Sequence, residues 1–467
     1  MTSRILVSAA FIGLATSGLA AQQPAPQPAA RPTAPASAPA AAPAAVPAPT
    51  AYQTPQDVPR LTMADALRLA AQNAPLMVQA RENVRMAEWS RRTAYGAYLP
   101  TLSASGSGTQ ASAQRFNSAT GTSTTSSSPY SESYGLSARL NLFTGFQRGA
   151  NVRAASATTD LREAAQLQQQ YATALAAKQA FFAALANAEL VTVAETQLRQ
   201  SAEQLKLTSE KLRLGATTRS DSLSAVVNYG SSQLQLIQAI ANLQYAQVNL
   251  GRTIGMDGAV APVPDSTLEL RLGTLDTGAL RREALSTAPS IQQAAATLVA
   301  ARAGLAAQRS QWMPTISASW NQSWSRSVPT ILGSVPWLPN WNLGVALSYP
   351  LFNGFQRESS IATADANVIV ANANLRDARL ALDASLTQAI SGLASADQQI
   401  DIARSSVAAA LENLRMQQER YRLGTSTIVD LLITQTALNQ AQANLVSARY
   451  NYLLARAQIE ALVGRSL

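Results

Sequence analysis

One feature constrains this chain more than any other: its second half repeats the motifs of its first at nearly constant spacing. Leu142-Phe143-Thr144-Gly145-Phe146-Gln147-Arg148 returns as Leu351-Phe352-Asn353-Gly354-Phe355-Gln356-Arg357, an offset of 209 residues. Arg213-Leu214-Gly215 with Asp221 returns at the same offset as Arg422-Leu423-Gly424 with Asp430. Pro100-Thr101 returns as Pro314-Thr315 and Pro75 as Pro289, both at an offset of 214. The five-residue difference falls between the Pro-Thr and Leu-Phe-x-Gly-Phe motifs and marks that interval as a loop. Two long tandem units predict a pseudo-symmetric architecture.

The first copy is preceded by segments of other character. Arg4, the apolar run Ile5–Leu14 and the small residues ending at Gly18-Leu19-Ala20 follow the grammar of a cleaved secretory signal over 1–20. Residues 21–60 are dominated by Ala, Pro and Gln and predict a disordered tether. The first repeat then covers 61–258, a linker 259–274, and the second repeat 275–467. The chain has neither cysteine nor histidine, which removes disulfides, the commonest general base and the commonest metal ligand. No cofactor and no enzyme chemistry is expected. The net charge of +9 comes from dispersed Lys and Arg without interleaved aromatics, so nucleic acid is not an expected partner.

Each copy then reads as very long helix. Leu386, Leu393, Ile400, Val407, Leu414 and Tyr421 recur at intervals of seven, with Leu375, Leu382, Ala389, Ala396, Ala403 and Ala410 at the complementary spacing. That is a coiled-coil seam. The first copy repeats it more weakly in Val191, Leu198, Leu205 and Leu212. Helices over 145–214 and 354–423 are expected to end at Gly215 and Gly424, which accept the left-handed conformation of a helix stop. Returning helices follow over 220–254 and 429–463. Together with a helix near Pro75–Tyr98, two shorter helices end to end match one long helix, their junction formed by an irregular Gly251–Pro289 band. Gly215 and Gly424, with Leu214 and Leu423, sit at tips where a partner's backbone can come close.

Between the helices lie alternating segments near 99–109, 134–143, 313–326 and 341–352. Leu136, Ala138, Leu140 and Leu142 oppose Ser137, Arg139 and Asn141; Leu343, Val345, Leu347, Tyr349 and Leu351 oppose Asn342, Gly344, Ala346 and Ser348. About ten residues is the length of a tilted membrane strand. A one-sided sheet packed on its own helices would show the same alternation, which leaves a periplasmic coiled-coil scaffold without a pore as the alternative. Four strands cannot close a barrel, and open edges are forbidden in lipid, so the membrane reading requires oligomers. Gln110–Ser133 and Val328–Asn340 are then hairpin loops, and Trp320, Trp324, Trp337 and Trp341 suit an aromatic belt.

The paired Pro-Thr and Leu-Phe-x-Gly-Phe motifs, the Leu-Gly turns followed by Asp and the closing Ala448-Arg449-Tyr450-Asn451-Tyr452-Leu453 resemble the TolC-like family of outer-membrane efflux proteins. The resemblance covers about 61–467. It implies a mainly α fold with a small membrane β-barrel, three chains closing twelve strands above a periplasmic helical tunnel. It also implies a passive exit duct of a tripartite efflux or type I secretion system in the outer membrane, served by a periplasmic adaptor and an inner-membrane pump or ABC transporter. Asp430 would form an acidic ring at the periplasmic aperture, and Tyr421 and Asp221 a closing link. Gly145 and Gly354 mark the strand-to-helix junctions. Ser426 stands where the family can carry a gate-linking Arg, and Ile433 where a second Asp can lie.

Overall fold

A computed structural model describes residues 58–119, 121–127, 130–264, 276–328 and 336–465. The signal, most of the tether and much of the inter-repeat linker lie outside these residues. The main elements of the two repeats correspond in order. The first contains α1 (Met63–Asn73), α2 (Pro75–Gly96), β2 (Thr101–Thr109), β5 (Tyr130–Thr144), α3 (Gln147–Arg213) and α4 (Arg219–Ile254). The second contains α5 (Thr277–Thr287), α6 (Pro289–Arg309), β7 (Thr315–Val328), β8 (Leu338–Ser348), α7 (Gln356–Arg422) and α8 (Ile428–Val463). α3 and α7 are 67 residues each, about 100 Å at 1.5 Å per residue; α4 and α8 are 36 each. No described helix is long and apolar enough to cross a membrane.

The short helices stack end to end beside the long ones because each is stopped by a residue that cannot continue it. Gly255 ends α4 in the left-handed region, φ 74°, and abuts the Asn73 carbonyl at the end of α1. Pro75 and Pro289 open α2 and α6, after Ala74 and Ala288 have turned the chain into extended geometry. The junction is more ordered than an irregular band: α5 lies in it, and β1 (Arg60–Leu61) pairs in parallel with β6 (Ala261–Pro262). Around it the main core gathers Phe181, Phe182, Leu250, Ile254, Val260, Leu280, Ile459 and Val463. Glu460 accepts an ion pair from Lys178 on α3 and another, at 3.3 Å, from Arg456. Glu189 on α3 pairs with Arg449 at 3.2 Å and accepts from the Tyr450 hydroxyl at 2.8 Å, so charged ties also bind α8 to α3.

Both seam rows of α7 are buried through Leu382, Leu386, Ala389, Leu393, Ala396, Ile400 and Ala403. In α3 the deepest row differs from the Leu/Val row read in the sequence. Ala180, Ala194, Ser201 and Thr208 are buried, whereas Val191, Leu198 and Leu205 are half-buried and Leu212 is exposed. Ser201 and Thr208 donate to the α3 carbonyls of Leu198 and Gln204 at 2.9 and 2.8 Å, so their hydroxyls are satisfied without a partner on the facing helix.

The sheet is antiparallel in the order β2-β5-β7-β8, and β5–β7 joins the two repeats. Leu102, Leu136, Trp320, Leu343, Val345 and Leu347 share one face and are exposed; they do not pack on the chain's own helices, as the scaffold alternative requires. The other face carries Ser103, Ser105, Ser137, Arg139, Ser319, Asn321 and Asn342. A bulge between Asn141 and Phe143 sets Leu142 aside, and Phe143 takes the place opposite Ile316. The Gln110–Ser133 stretch is not a simple loop. β3 (Ser112–Asn117) and β4 (Thr122–Ser127) pair there as a separate antiparallel hairpin.

The strand-to-helix motif has a physical reading. Gly145 and Phe146 are both left-handed, φ 59° and 66°, as are Gly354 and Phe355, φ 64° and 63°. The strained Phe is held edge-on by the ring three residues earlier, Phe143 or Phe352, at 5.4 Å in each repeat. The motif's Arg then locks the corner. Arg148 donates to the Leu142 carbonyl at 2.7 Å and lies over the Tyr98 ring at 4.7 Å. Arg357 donates to the Pro350 carbonyl at 3.4 Å and lies over Trp312 at 3.5 Å. The two glycines differ in surroundings. A Cβ on Gly145 would overlap the Met313 side chain and approach the Ser310 carbonyl to 2.8 Å, while one on Gly354 meets open space. Gly354→Ala should therefore lower the unfolding free energy only by the left-handed penalty, about 1–2 kcal/mol. Gly145→Ala should lower it clearly more. Equal shifts in the detergent-solubilised protein would contradict this account of the corner.

Candidate functional site: the helical tips

Both long helices end in the same turn. Gly215 N–H donates to the Leu212 carbonyl and Ala216 N–H to that of Lys211, at 3.0 and 2.8 Å. Gly424 and Thr425 repeat this with Tyr421 and Arg420 at 3.2 and 2.9 Å. These are Schellman stops, and Gly215 and Gly424 supply the left-handed residue, φ 72° and 77°. A Cβ at either glycine would meet open space, and Leu214 and Leu423 beside them are 74% and 72% exposed. Four consecutive features therefore converge at each tip: a stop, a glycine, a bare leucine and a restart.

The restart is a capping box. Thr218 accepts from the Asp221 N–H at 3.1 Å while Asp221 accepts from the Thr218 N–H at 3.2 Å; Thr427 and Asp430 do the same at 3.2 Å each. Asp221 also accepts from the Thr217 hydroxyl at 2.8 Å, and Asp430 from the Thr427 and Ser426 hydroxyls at 2.7 and 3.3 Å. These bonds hold both carboxyls below the usual Asp range, led by Thr217 and then Thr218 for Asp221, and by the side chain and then the backbone of Thr427 for Asp430. The lowered direction means that their contribution is fully present above about pH 4 and is lost as the pH falls through the lowered values. Asp430 is exposed, Asp221 is half-buried, and Ile433 one turn beyond Asp430 is exposed.

The structure does not bring Tyr421 and Asp221 together within the chain. Asp221 Oδ2 accepts from the Thr217 hydroxyl and the Thr218 N–H, and the Tyr421 hydroxyl is buried with no hydrogen-bond partner. What holds Tyr421 is Lys211, which the sequence reading did not single out. Its ammonium donates to the Tyr421 carbonyl at 3.1 Å and lies over the Tyr421 ring at 4.2 Å. The Lys211 carbonyl is itself an acceptor in the first Schellman stop, and the Tyr421 carbonyl one in the second. One lysine thus staples the two tips of the protomer, above a cleft of about 320 Å³ lined by Gln200, Leu414, Leu431 and Gln435. Ser426 donates to Gln417 at 3.1 Å and to Asp430, so it serves the second tip alone. Gly145 and Gly354 belong to the opposite, sheet-proximal ends of α3 and α7 and take no part in the tips.

Lys211→Met should speed amide exchange at Gly424 and Thr425 by about tenfold or more, because a cation–π contact is worth about 0.5–1 kcal/mol and a hydrogen bond from a charged donor about 1.5–3 kcal/mol. Tyr421→Phe should leave that exchange unchanged, since it removes a hydroxyl that bonds nothing. The reverse pattern in hydrogen–deuterium exchange would show that the hydroxyl, and not the lysine, joins the tips.

The outer membrane efflux protein family model matches residues 66–256 and 280–465. Protein CyaE of Bordetella pertussis is 29% identical over 329 residues, 68% of this chain and 66% of that one, just under two thirds of its length. The pyoverdine export outer membrane protein OpmQ of Pseudomonas aeruginosa is 26% identical over 409 residues, 85% of this chain and 82% of that one. Among solved structures, the CmeC outer membrane channel of Campylobacter jejuni superposes with a TM-score of 0.71 at 17% identity, covering 86% of this chain and 85% of that one.

Proposed function

The chain belongs to the outer membrane efflux protein family, and from that premise we propose that three copies form an outer-membrane exit duct. The duct conducts solutes passively from a periplasmic adaptor and an inner-membrane pump, of a tripartite efflux or a type I secretion system, to the exterior. The observation that carries the reading is the sheet. Its edge strands β2 and β8 have no neighbour on their outer sides among the described residues, and its apolar face is bare. In a bilayer every strand N–H and C=O must be paired within protein, so an isolated four-stranded sheet is excluded there. Three such sheets joined edge to edge close twelve strands and turn the Ser/Asn face inward to water.

The helices support the same assembly. α4 leaves Leu223, Val227, Leu234, Ile237, Tyr245 and Val248 exposed along one flank, at spacings of one or two helical turns, a seam that needs a neighbouring helix. With α3 and α7 about 100 Å long, the tips stand far from the membrane, where Leu214 and Leu423 offer an apolar pair to an adaptor. In the trimer, three copies of Asp430 form the acidic ring of the aperture, and Lys211 holds each protomer's tips closed.

Mild-detergent extraction of the outer membrane should yield a single species of three chains that conducts in planar bilayers. A monomer released by osmotic shock would overturn the reading. Gly215→Trp with Gly424→Trp should abolish export while leaving the trimer and its conductance intact; normal export would remove the tips as the docking site.

A further inference from the structure

The four strands of the sheet carry three charged residues: Glu132 and Arg139 on β5, and Arg326 on β7. Two of them neutralise each other. Arg326 pairs with Glu132 at 2.6 Å, directly opposite it in the ladder, and its guanidinium lies over the Trp337 ring at 4.6 Å. This pair is on the apolar and aromatic face, in line with Tyr134 and Trp324, where a lipid headgroup layer suits it. Arg139 is different. It lies on the Ser/Asn face, is exposed, and has no acidic partner among the described residues.

Its surroundings leave that charge uncompensated. Across the sheet it faces Thr101 on β2 and Ser319 on β7, with Gly344 next on β8; along β5 its face neighbours are Ser137 and Asn141. None is ionisable. Thr101 is the first residue of β2, so Arg139 sits at the helix-proximal end of the sheet, where strand gives way to tunnel.

We propose that Arg139 is a specificity-determining residue of the duct: three copies form a basic collar at the base of the barrel lumen that favours anionic passengers bearing carboxylate, sulfate or phosphate groups. The inference rests on the trimeric pore reading above. Twelve strands about 4.8 Å apart and tilted by about 40° enclose a barrel of radius roughly 12 Å. A guanidinium reaching inward from that wall stands within about one Debye length, ~8 Å, of the axis. A solute crossing the collar therefore feels all three charges incompletely screened, and guanidinium offers the forked donor geometry that matches carboxylate and phosphate oxygens. The sign is opposite to that of the Asp430 ring at the far end, so the two ends of the duct select on different terms.

Side-specific block of single channels in planar bilayers tests this, with hexametaphosphate added to the barrel side as the probe. The unsubstituted trimer should be blocked, and more weakly at 1 M salt, where the Debye length falls to about 3 Å. Arg139→Gln should raise the half-blocking concentration about tenfold with open-channel conductance retained, and Arg139→Lys should keep most of the block because it keeps the charge. Block by hexametaphosphate that is unchanged in conducting Arg139→Gln trimers overturns the collar. Failure of the unsubstituted protein to conduct at all would instead overturn the pore reading.

Discussion

The assembly of this protein turns on the outer edges of β2 and β8, which have no strand neighbour among the described residues. A strand edge presents a row of backbone donors and acceptors, and hydrocarbon offers them nothing. Within one chain the β5–β7 pairing can only join the two repeats into a half-open ribbon. The chain's pseudo-twofold character makes the two edges complementary in role, one supplied by each repeat. Closure by copies of itself satisfies all strands at once and removes the hazard that exposed edges bring.

The helical part answers a different requirement. A tunnel wall needs helices that pack on two neighbours each, and small seam residues permit that. Ala389, Ala396 and Ala403 on α7, and Ala194, Ser201 and Thr208 on α3, let backbones approach, while the larger apolar residues divide between the protomer's own core and the flanks left bare. At one end the Gly-Phe corners convert strand into helix; at the other, Schellman stops and capping boxes turn the chain back. Lys211 joins two of those turns without adding an element.

Much of this was legible in the sequence. The duplicated motifs carried the repeat, and the heptads of Leu386, Leu393 and Ile400 carried the seam. Alternation at Leu343, Val345 and Leu347 carried the strands, because each pattern puts its apolar residues on one face. β4 is entirely Ser and Thr and the six residues of β3 show no apolar alternation, so both read as loop. α5 was missed because a short helix in a Gly/Pro-bearing stretch has little periodicity to show. The α3 seam was placed on Val191, Leu198 and Leu205 since hydrophobicity marks large residues, whereas close approach selects small ones. At the tips, Asp221 and Asp430 were visible from spacing, but their partners were not. A carboxylate at the third helical position is engaged by its own cap, and no bond from Tyr421 to Asp221 forms within the chain. Lys211 had no signature at all, since a lysine near a helix end is ordinary.

The claim on which the account turns is that this sheet is one third of a closed barrel. The natural absence of cysteine permits a clean test. Cysteine placed singly at Ser103, Ser105 or Ser107 of β2 should form no disulfide, and neither should Ala346→Cys of β8. Combined in one chain, one of these β2 positions with Ala346→Cys should link copies into a covalent species of three chains, and only one or two registers should do so. Disulfide formation in no register, or a ladder that stops at two chains in folded, membrane-extracted protein, would contradict the closed barrel.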